Sequence, residues 1–380
     1  MRGQELGAWA YLPDAPLQDD GGKRGPLSGL RFSVKDLIQV ANWPTSGSTF
    51  ASIPPLPRSP LVDQLLHLGA VCVGKTHLHE VALGCLGWNP ILGQAQNPLD
   101  STRISGGSSS GAAISVAVGA CDFALGTDTG GSIRIPAALC GVAGFKPTSG
   151  RYSTEGVLAL SPTCDHVGLL ARDIRGISDI DRALFPNEPR ETPFGSLCFG
   201  AWDVSPWVTP EVWERFIECI TMLDAQMFSF PDVLKSYDTI VRSEAACVHR
   251  KTTGFSAPTQ TLLEQAGQIL ATDYLDAQNE RAVFRNTLEQ LFGRFDVLLA
   301  PCVPDVAPKT DEDHFALPSG NTPLRTAFLR LTAPYSLLGV PTVSLPLRVG
   351  PLSQGIQIIA PWGKDALLLE VACVLERLWK

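Results

Sequence analysis

No apolar run in the chain approaches the ~20 residues that a membrane-spanning helix needs. Its opening segment, MRGQELGAWAYLPDAPLQDD, lacks the apolar centre of a secretory signal. Positive charge is also in deficit, with 30 Lys and Arg against 38 Asp and Glu, a net charge of −8. That balance argues against nucleic acid and anionic membrane surfaces, whose capture rests on clustered cations. The ten cysteines are scattered and include no CxxC pair, so a reduced, cytoplasmic chain is expected. Internal repeats and charge blocks are absent too. Small-molecule chemistry is the class left standing.

What is present is enough chain to bury a substantial core: 380 residues, 44% of them hydrophobic. Glycine (35) and proline (30) make it loop-rich without making it low-complexity. Strand and helix patterns alternate throughout, which predicts an α/β protein whose sheet is covered by helices on both faces. Strands are expected at Leu30–Val34, Val71–Val73, Val297–Ala300, Thr342–Leu345 and Ile356–Ile359. Helices are expected at Pro60–Leu68, through Val81–Leu83, at Ala112–Gly119, around Val212–Leu223, at Asp273–Phe292 and at Ala366–Leu378. The prolines of Pro186–Pro193 mark a loop rather than a boundary, so one compact domain over 1–380 is the expectation.

The chemistry concentrates between Arg103 and Gly150. Gly106-Gly107-Ser108-Ser109-Ser110-Gly111 precedes a small-residue helix, and Gly126-Thr127-Asp128-Thr129-Gly130-Gly131-Ser132-Ile133-Arg134 follows 15 residues on. Such loops expose backbone N–H groups suited to an anion or a developing oxyanion. Apolar segments, AAISVAVGA and DFALG, bound them, which is unlike a flexible linker. Gly69–Thr76 fits the letters of a phosphate-binding loop, but its AVCV centre reads as a strand. Ser109 satisfies GxSxG, the elbow of α/β-hydrolases. That elbow must follow a buried strand and needs a later histidine, His166, His249 or His314. The preceding DSTRIS is too polar for a buried strand, leaving an esterase using Ser109 as a distant alternative.

The long run from GGSSSG through GTDTGGSIRIPAALCGVAGFKPT closely resembles the amidase signature family. The resemblance extends to Lys35, to GKTHLHEVALG (Gly74–Gly84), to Gln96-Asn97-Pro98, to Cys164–Gly168, to Asp296–Pro301 and to Gly339–Thr342. It is strong over about residues 26–178 and weaker over about 290–380. It implies a mixed central β-sheet with helices on both faces, and a Ser-Ser-Lys triad that falls here on Ser132, Ser108 and Lys35. Ser132 is then the nucleophile, and Ser108 relays its proton to a neutral Lys35. Backbone N–H groups around Thr129, Gly130, Gly131 and Ser132 form the implied oxyanion hole, with Asp128 and Arg134 orienting the loop behind it. The wording is similar to small aryl- or alkylacetamide hydrolases, including the indole-acetamide type.

The mechanism implied needs no metal or cofactor. The partner expected is a small amide, with a possible homodimer and no nucleic acid or membrane. An amidotransferase-type subunit, which delivers ammonia to a partner, is the competing reading within the family. Ala82, Leu83 and Gly84 match the family's pocket wall, and with Cys85 are small and apolar here, favouring a modest apolar or aromatic acyl group. Two departures stand out: only 34 residues precede Lys35, so a pocket wall is expected to differ, and Ser110 stands where many relatives have glycine. His77-Leu78-His79-Glu80 is expected at the surface or in a capping role, because i and i+2 on a helix do not face each other as metal ligands would.

Overall fold

The computed structural model describes residues 3–19, 25–190 and 194–379. One mixed sheet of eleven strands runs through them. Its spatial order is Trp9–Tyr11, Val71–Thr76, Arg31–Lys35, Phe123–Asp128, His166–Ala171, Ala143–Lys146, Thr342–Val349, Leu352–Ile359, Val297–Pro301, Phe199–Trp202, Gln226–Phe228. Arg31–Lys35 runs parallel to both its neighbours, and Phe199–Trp202 does likewise, while the strands between them pair antiparallel. This is the mixed, doubly covered sheet expected.

The period-two alternation of strands decides which face each residue serves. Phe32, Val34, Phe123, Leu125 and Leu169 enter a core built with helices Pro60–His67, Ile174–Leu184, Pro210–Thr221 and Asp365–Trp379. Their neighbours Ala124 and Leu170 turn the other way, to helices Ser110–Ala117 and Arg134–Cys140. Ser33 shares that second face, where its hydroxyl meets Ser115 at 3.0 Å. Lys35, two residues on, is therefore aimed at the same side. Helices Leu234–His249, Ala271–Phe292 and Leu324–Leu337 complete the covering around Trp202 and Leu298.

Several expectations need correction. Val81–Leu83 is no α-helix: Glu80–Ala82 is a single tight turn with Val81 at φ 41° and Ala82 at φ 64°. DSTRI forms a strand, Asp100–Ile104, but a half-exposed one outside the main sheet, paired with Gln96–Asn97 and bridged through Arg103 to Lys309, so it is not the buried strand that an elbow needs. His77 and Glu80 are buried and His79 is half-buried, so HLHE does not lie at the surface. The expected loop at Pro186–Pro193 follows helix Ile174–Leu184, but residues 191–193 fall outside the described residues. No helix among the described residues is long and apolar enough to cross a membrane.

Candidate active site

Lys35 ends its strand fully buried, with Nζ 2.7 Å from Ser108 Oγ and 2.7 Å from Thr127 Oγ1. Burial penalises the ammonium and brings its pKa down to about 7, while Asp128 and Asp165 oppose the shift. The apolar core beneath the sheet thus makes an ordinarily charged amine available in its neutral form. Ser108 stands at the entrance to helix Ser110–Ala117, buried. Ser132 occupies the turn between strand Phe123–Asp128 and helix Arg134–Cys140, and its carbonyl accepts the Ser109 N–H at 3.1 Å. The two serine-glycine loops are joined there.

Ser109 spends its hydroxyl on Thr127, donating to the carbonyl at 3.1 Å and accepting the N–H at 3.3 Å. It is fully buried, so the elbow reading fails on geometry. The histidines that reading needs are elsewhere. His166 is buried with Nδ1 3.1 Å from the Asp128 carbonyl, and burial drives its pKa to about 3. His249 packs on Phe255, and His314 lies on an exposed hairpin beside Asp313.

Asp128 anchors the turn. It accepts the N–H of Gly131 at 2.8 Å and of Ile133 at 3.2 Å, the Ser336 hydroxyl at 2.7 Å, and both forks of Arg134 at 2.9 and 3.0 Å. Burial alone would raise its pKa, but the Arg134 guanidinium overrides that and holds the carboxyl well below the usual range. Arg134 continues to Gln357 and Ser336, each at 2.6 Å, so this buried pair ties the loop to the far half of the chain. Thr129 donates to Asp165 at 2.6 Å; burial pushes that carboxyl up to about 6.

These groups meet a cavity of about 130 Å³. Ala82, Leu83, Gly84 and Cys85 form one wall; Thr129, Gly130 and Ser132 form the floor; Tyr237, Val241, Arg242, Arg325 and Leu329 close it from two helices. Gly130 is required by close approach, since a Cβ there would sit 2.0 Å from the Tyr237 hydroxyl. Gly131 is placed differently from its neighbours. Its φ of 128° suits glycine, and its N–H is committed to Asp128 rather than to the cavity. Tyr237, Arg242 and Arg325 carry no motif and were invisible in the sequence. Their only signal is helical spacing, Tyr237 to Val241 and Arg325 to Leu329.

The remaining candidates serve the walls. His77 Nε2 lies 3.1 Å from the Gly93 carbonyl, and the His79 ring packs beneath Gly84, where a Cβ would come within 2.3 Å. Burial lowers both histidines to about 4. Glu80 accepts hydroxyls from Thr49, Ser256 and Thr259. Lys75, of the apparent phosphate loop, is buried in a strand and paired with Asp36 at 2.8 Å. Among the described residues no cluster of His, Cys, Asp or Glu could hold a metal.

A model of the amidase family matches residues 8–198 and 199–369, nearly the whole chain. The chain belongs to the amidase family. An amidase of Pseudomonas putida is 33% identical, over 89% of this chain and 78% of its own. A glutamyl-tRNA(Gln) amidotransferase subunit of Methanospirillum hungatei is 30% identical over 93% of each. A crystal structure of an amidase superposes with a TM-score of 0.92 at 36% identity, covering 99% of this chain and 93% of that one. As an amidase-family enzyme it acts on C–N bonds, and its sheet is the family's sheet.

Proposed function

We propose that the chain hydrolyses a small linear carboxamide through an acyl-enzyme on Ser132. The observation that carries this reading is the buried Lys35 amine 2.7 Å from the Ser108 hydroxyl, beside the cavity onto which Ser132 opens. Neutral Lys35 takes the proton of Ser108, and Ser108 takes that of Ser132 as its oxygen attacks the substrate carbonyl. The tetrahedral oxyanion is met by N–H groups of the floor, those of Thr129, Gly130 and Ser132, since Gly131 is occupied by Asp128. Collapse breaks the C–N bond, and the relay returns its proton to the leaving nitrogen. Water then cleaves the Ser132 ester by the same route.

The relatives also favour a second reading, because several of them are glutamyl-tRNA(Gln) amidotransferase subunits. A chain of that kind would release ammonia into a partner. Residues 1–380 are read as one amidase domain, since strand Ala143–Lys146 of the 26–178 region pairs directly with Thr342–Val349 of the 290–380 region. Its cysteines are all unpaired, which fits a reducing, cytoplasmic compartment.

Purified protein should release ammonia from members of a primary-amide panel, and Ser132→Ala should lose that activity by ~10³-fold or more. Full turnover in Ser132→Ala sinks the acyl-enzyme. Activity appearing only after a second polypeptide is added, with comigration on size exclusion, favours the amidotransferase reading.

A further inference from the structure

Strand Phe123–Asp128 lies between Arg31–Lys35 and His166–Ala171 in the sheet, and a lysine and a carboxylate flank its end. Thr127 Oγ1 holds Lys35 Nζ at 2.7 Å from one side. Two residues on, Thr129 donates to Asp165 at 2.6 Å on the other. Thr127, Thr129 and Asp165 line one crevice of about 10 Å³. That is room for about one water, so little solvent screens Asp165 from Lys35.

Two carboxylates, Asp128 and Asp165, favour the charged form of Lys35, and they differ in how they are paired. Asp128 is matched by both forks of Arg134. Asp165 has neutral partners: the Thr129 hydroxyl and the N–H groups of Leu160 at 2.8 Å and Ser161 at 3.0 Å. Among the described residues it makes no ion pair. A buried carboxylate without a cation is costly and needs a reason to be there. Burial pushes its pKa up to about 6, still below the about 7 of Lys35, so it is ionised where Lys35 sheds its proton. The other titratable groups nearby give it no cation. His79 faces Lys35, but burial lowers it to about 4, and His166 falls to about 3. Glu244 faces Asp165 and is itself held by the hydroxyls of Ser161, Thr163 and Tyr274. Of these groups only Lys35 becomes a cation near neutral pH.

We infer that Asp165 is a positioning residue for the proton relay, its carboxylate the counter-charge to the ammonium that forms on Lys35 as Ser132 attacks. This rests on the amidase reading above. As the Ser132–carbonyl bond forms, the Ser132 proton passes to Ser108 and that of Ser108 to the Lys35 lone pair. Negative charge then sits on the tetrahedral oxygen and positive charge on Nζ, facing Asp165. When the C–N bond breaks, the proton returns through Ser108 to the leaving nitrogen, and Asp165 has held charge without taking a proton. A buried carboxylate supports the imidazolium of a Ser-His-Asp triad in the same way.

The test is Asp165→Asn, which removes the charge and keeps the hydrogen bonds. The asparagine carbonyl accepts the Leu160 and Ser161 N–H groups, and its amide donates to the Thr129 hydroxyl. Lysine labelled with carbon-13 at Cε reports the Lys35 pKa by NMR, its resonance identified by its absence from Lys35→Met. In Asp165→Asn that pKa should fall by about one unit. The acid limb of kcat/KM for an amide should move to lower pH by the same amount, and the plateau of kcat should drop roughly tenfold, the equivalent of one unit. The reciprocal reading uses Lys35→Met, where the Asp165 carboxyl should titrate at higher pH than in the wild type, because the ammonium that favoured its ionised form is gone. That arm stands even if Asp165→Asn does not fold. Both titrations are independent of turnover, so the expected shifts in a chain that hydrolyses no amide uphold the Lys35–Asp165 pair and count against the amidase reading alone. A Lys35 pKa unmoved in Asp165→Asn, activity lost with the acid limb in place, or an Asp165 titration not raised in Lys35→Met overturns the proposal.

Discussion

Lys35 works in the proposed reaction only as a neutral amine, so its titration sets the pH dependence. Burial brings its pKa down to about 7, and the neutral fraction grows as pH rises through that value. kcat/KM for an amide should therefore climb about tenfold per pH unit below about 7 and level off above it. Lys35→Met should remove amide turnover by ~10²-fold or more, and should cost activated esters less, because their leaving groups depart without a proton. A profile that falls across pH 6–8, or a Lys35→Met variant with wild-type amide rates, contradicts the relay. Ser108 and Ser132 were singled out by the glycine-serine loops that hold them, and Lys35, a lysine at a strand end, only by the family resemblance. Arg242 and Tyr237 were not. They lie on an ordinary helix, and only the third dimension brings them to the cavity that Gly130 and Ser132 also line.

The turn at Glu80–Ala82 shows how an element can be misread. Val81 and Leu83 look like one flank of a helix, yet Val81 and Ala82 both take left-handed dihedrals that a β-branched residue avoids. What holds them is Glu80, whose carboxylate gathers Thr49, Ser256 and Thr259 hydroxyls and the Ser256 N–H at 3.1 Å. Those partners come from segments up to 179 residues away, beyond the reach of local periodicity. Glu80→Ala strips these acceptors and should destabilise the fold by about 2–4 kcal/mol. Because Ala82, Leu83 and Gly84 form the cavity wall, KM should rise more than kcat falls, measured at a temperature where the variant is folded. A destabilised variant with unchanged KM would show that the turn supports the fold and not the cavity. The regular elements, such as Pro60–His67 and Asp365–Trp379, fell where apolar spacing put them, because their faces are decided by the residues themselves.

Across the whole molecule, the sheet order was the part that the sequence could not disclose. Strand Thr342–Val349 inserts beside Ala143–Lys146, and Gln357 reaches Arg134 from 223 residues away. Closing such contacts leaves two lysines at strand ends inside the core. Lys146 donates to the carbonyls of Val340 at 2.6 Å and Pro147 at 3.1 Å, and burial, helped by the Arg134 charge, lowers its pKa to about 7. For Lys35 and Lys146 alike the folded value lies below the ~10.4 of an unfolded lysine. Above about 7 the unfolded chain holds protons that the folded one has shed, so stability rises with pH there, by up to about 1.4 kcal/mol per unit per lysine. Buried thiols oppose this at higher pH. Burial raises eight of them, Cys72, Cys85, Cys121, Cys140, Cys164, Cys219, Cys302 and Cys373, so near pH 9 the unfolded chain loses more thiol protons than the two lysines keep. Urea midpoints should therefore climb from pH 7 to a maximum between about 8 and 9, then decline. Lys146→Met should flatten the climb by about half while keeping the decline, because Lys35 still contributes. Midpoints that fall between pH 7 and 8 in the wild type would mean that these lysines stay charged in the folded chain, and the neutral amine beside Ser108 would go with them.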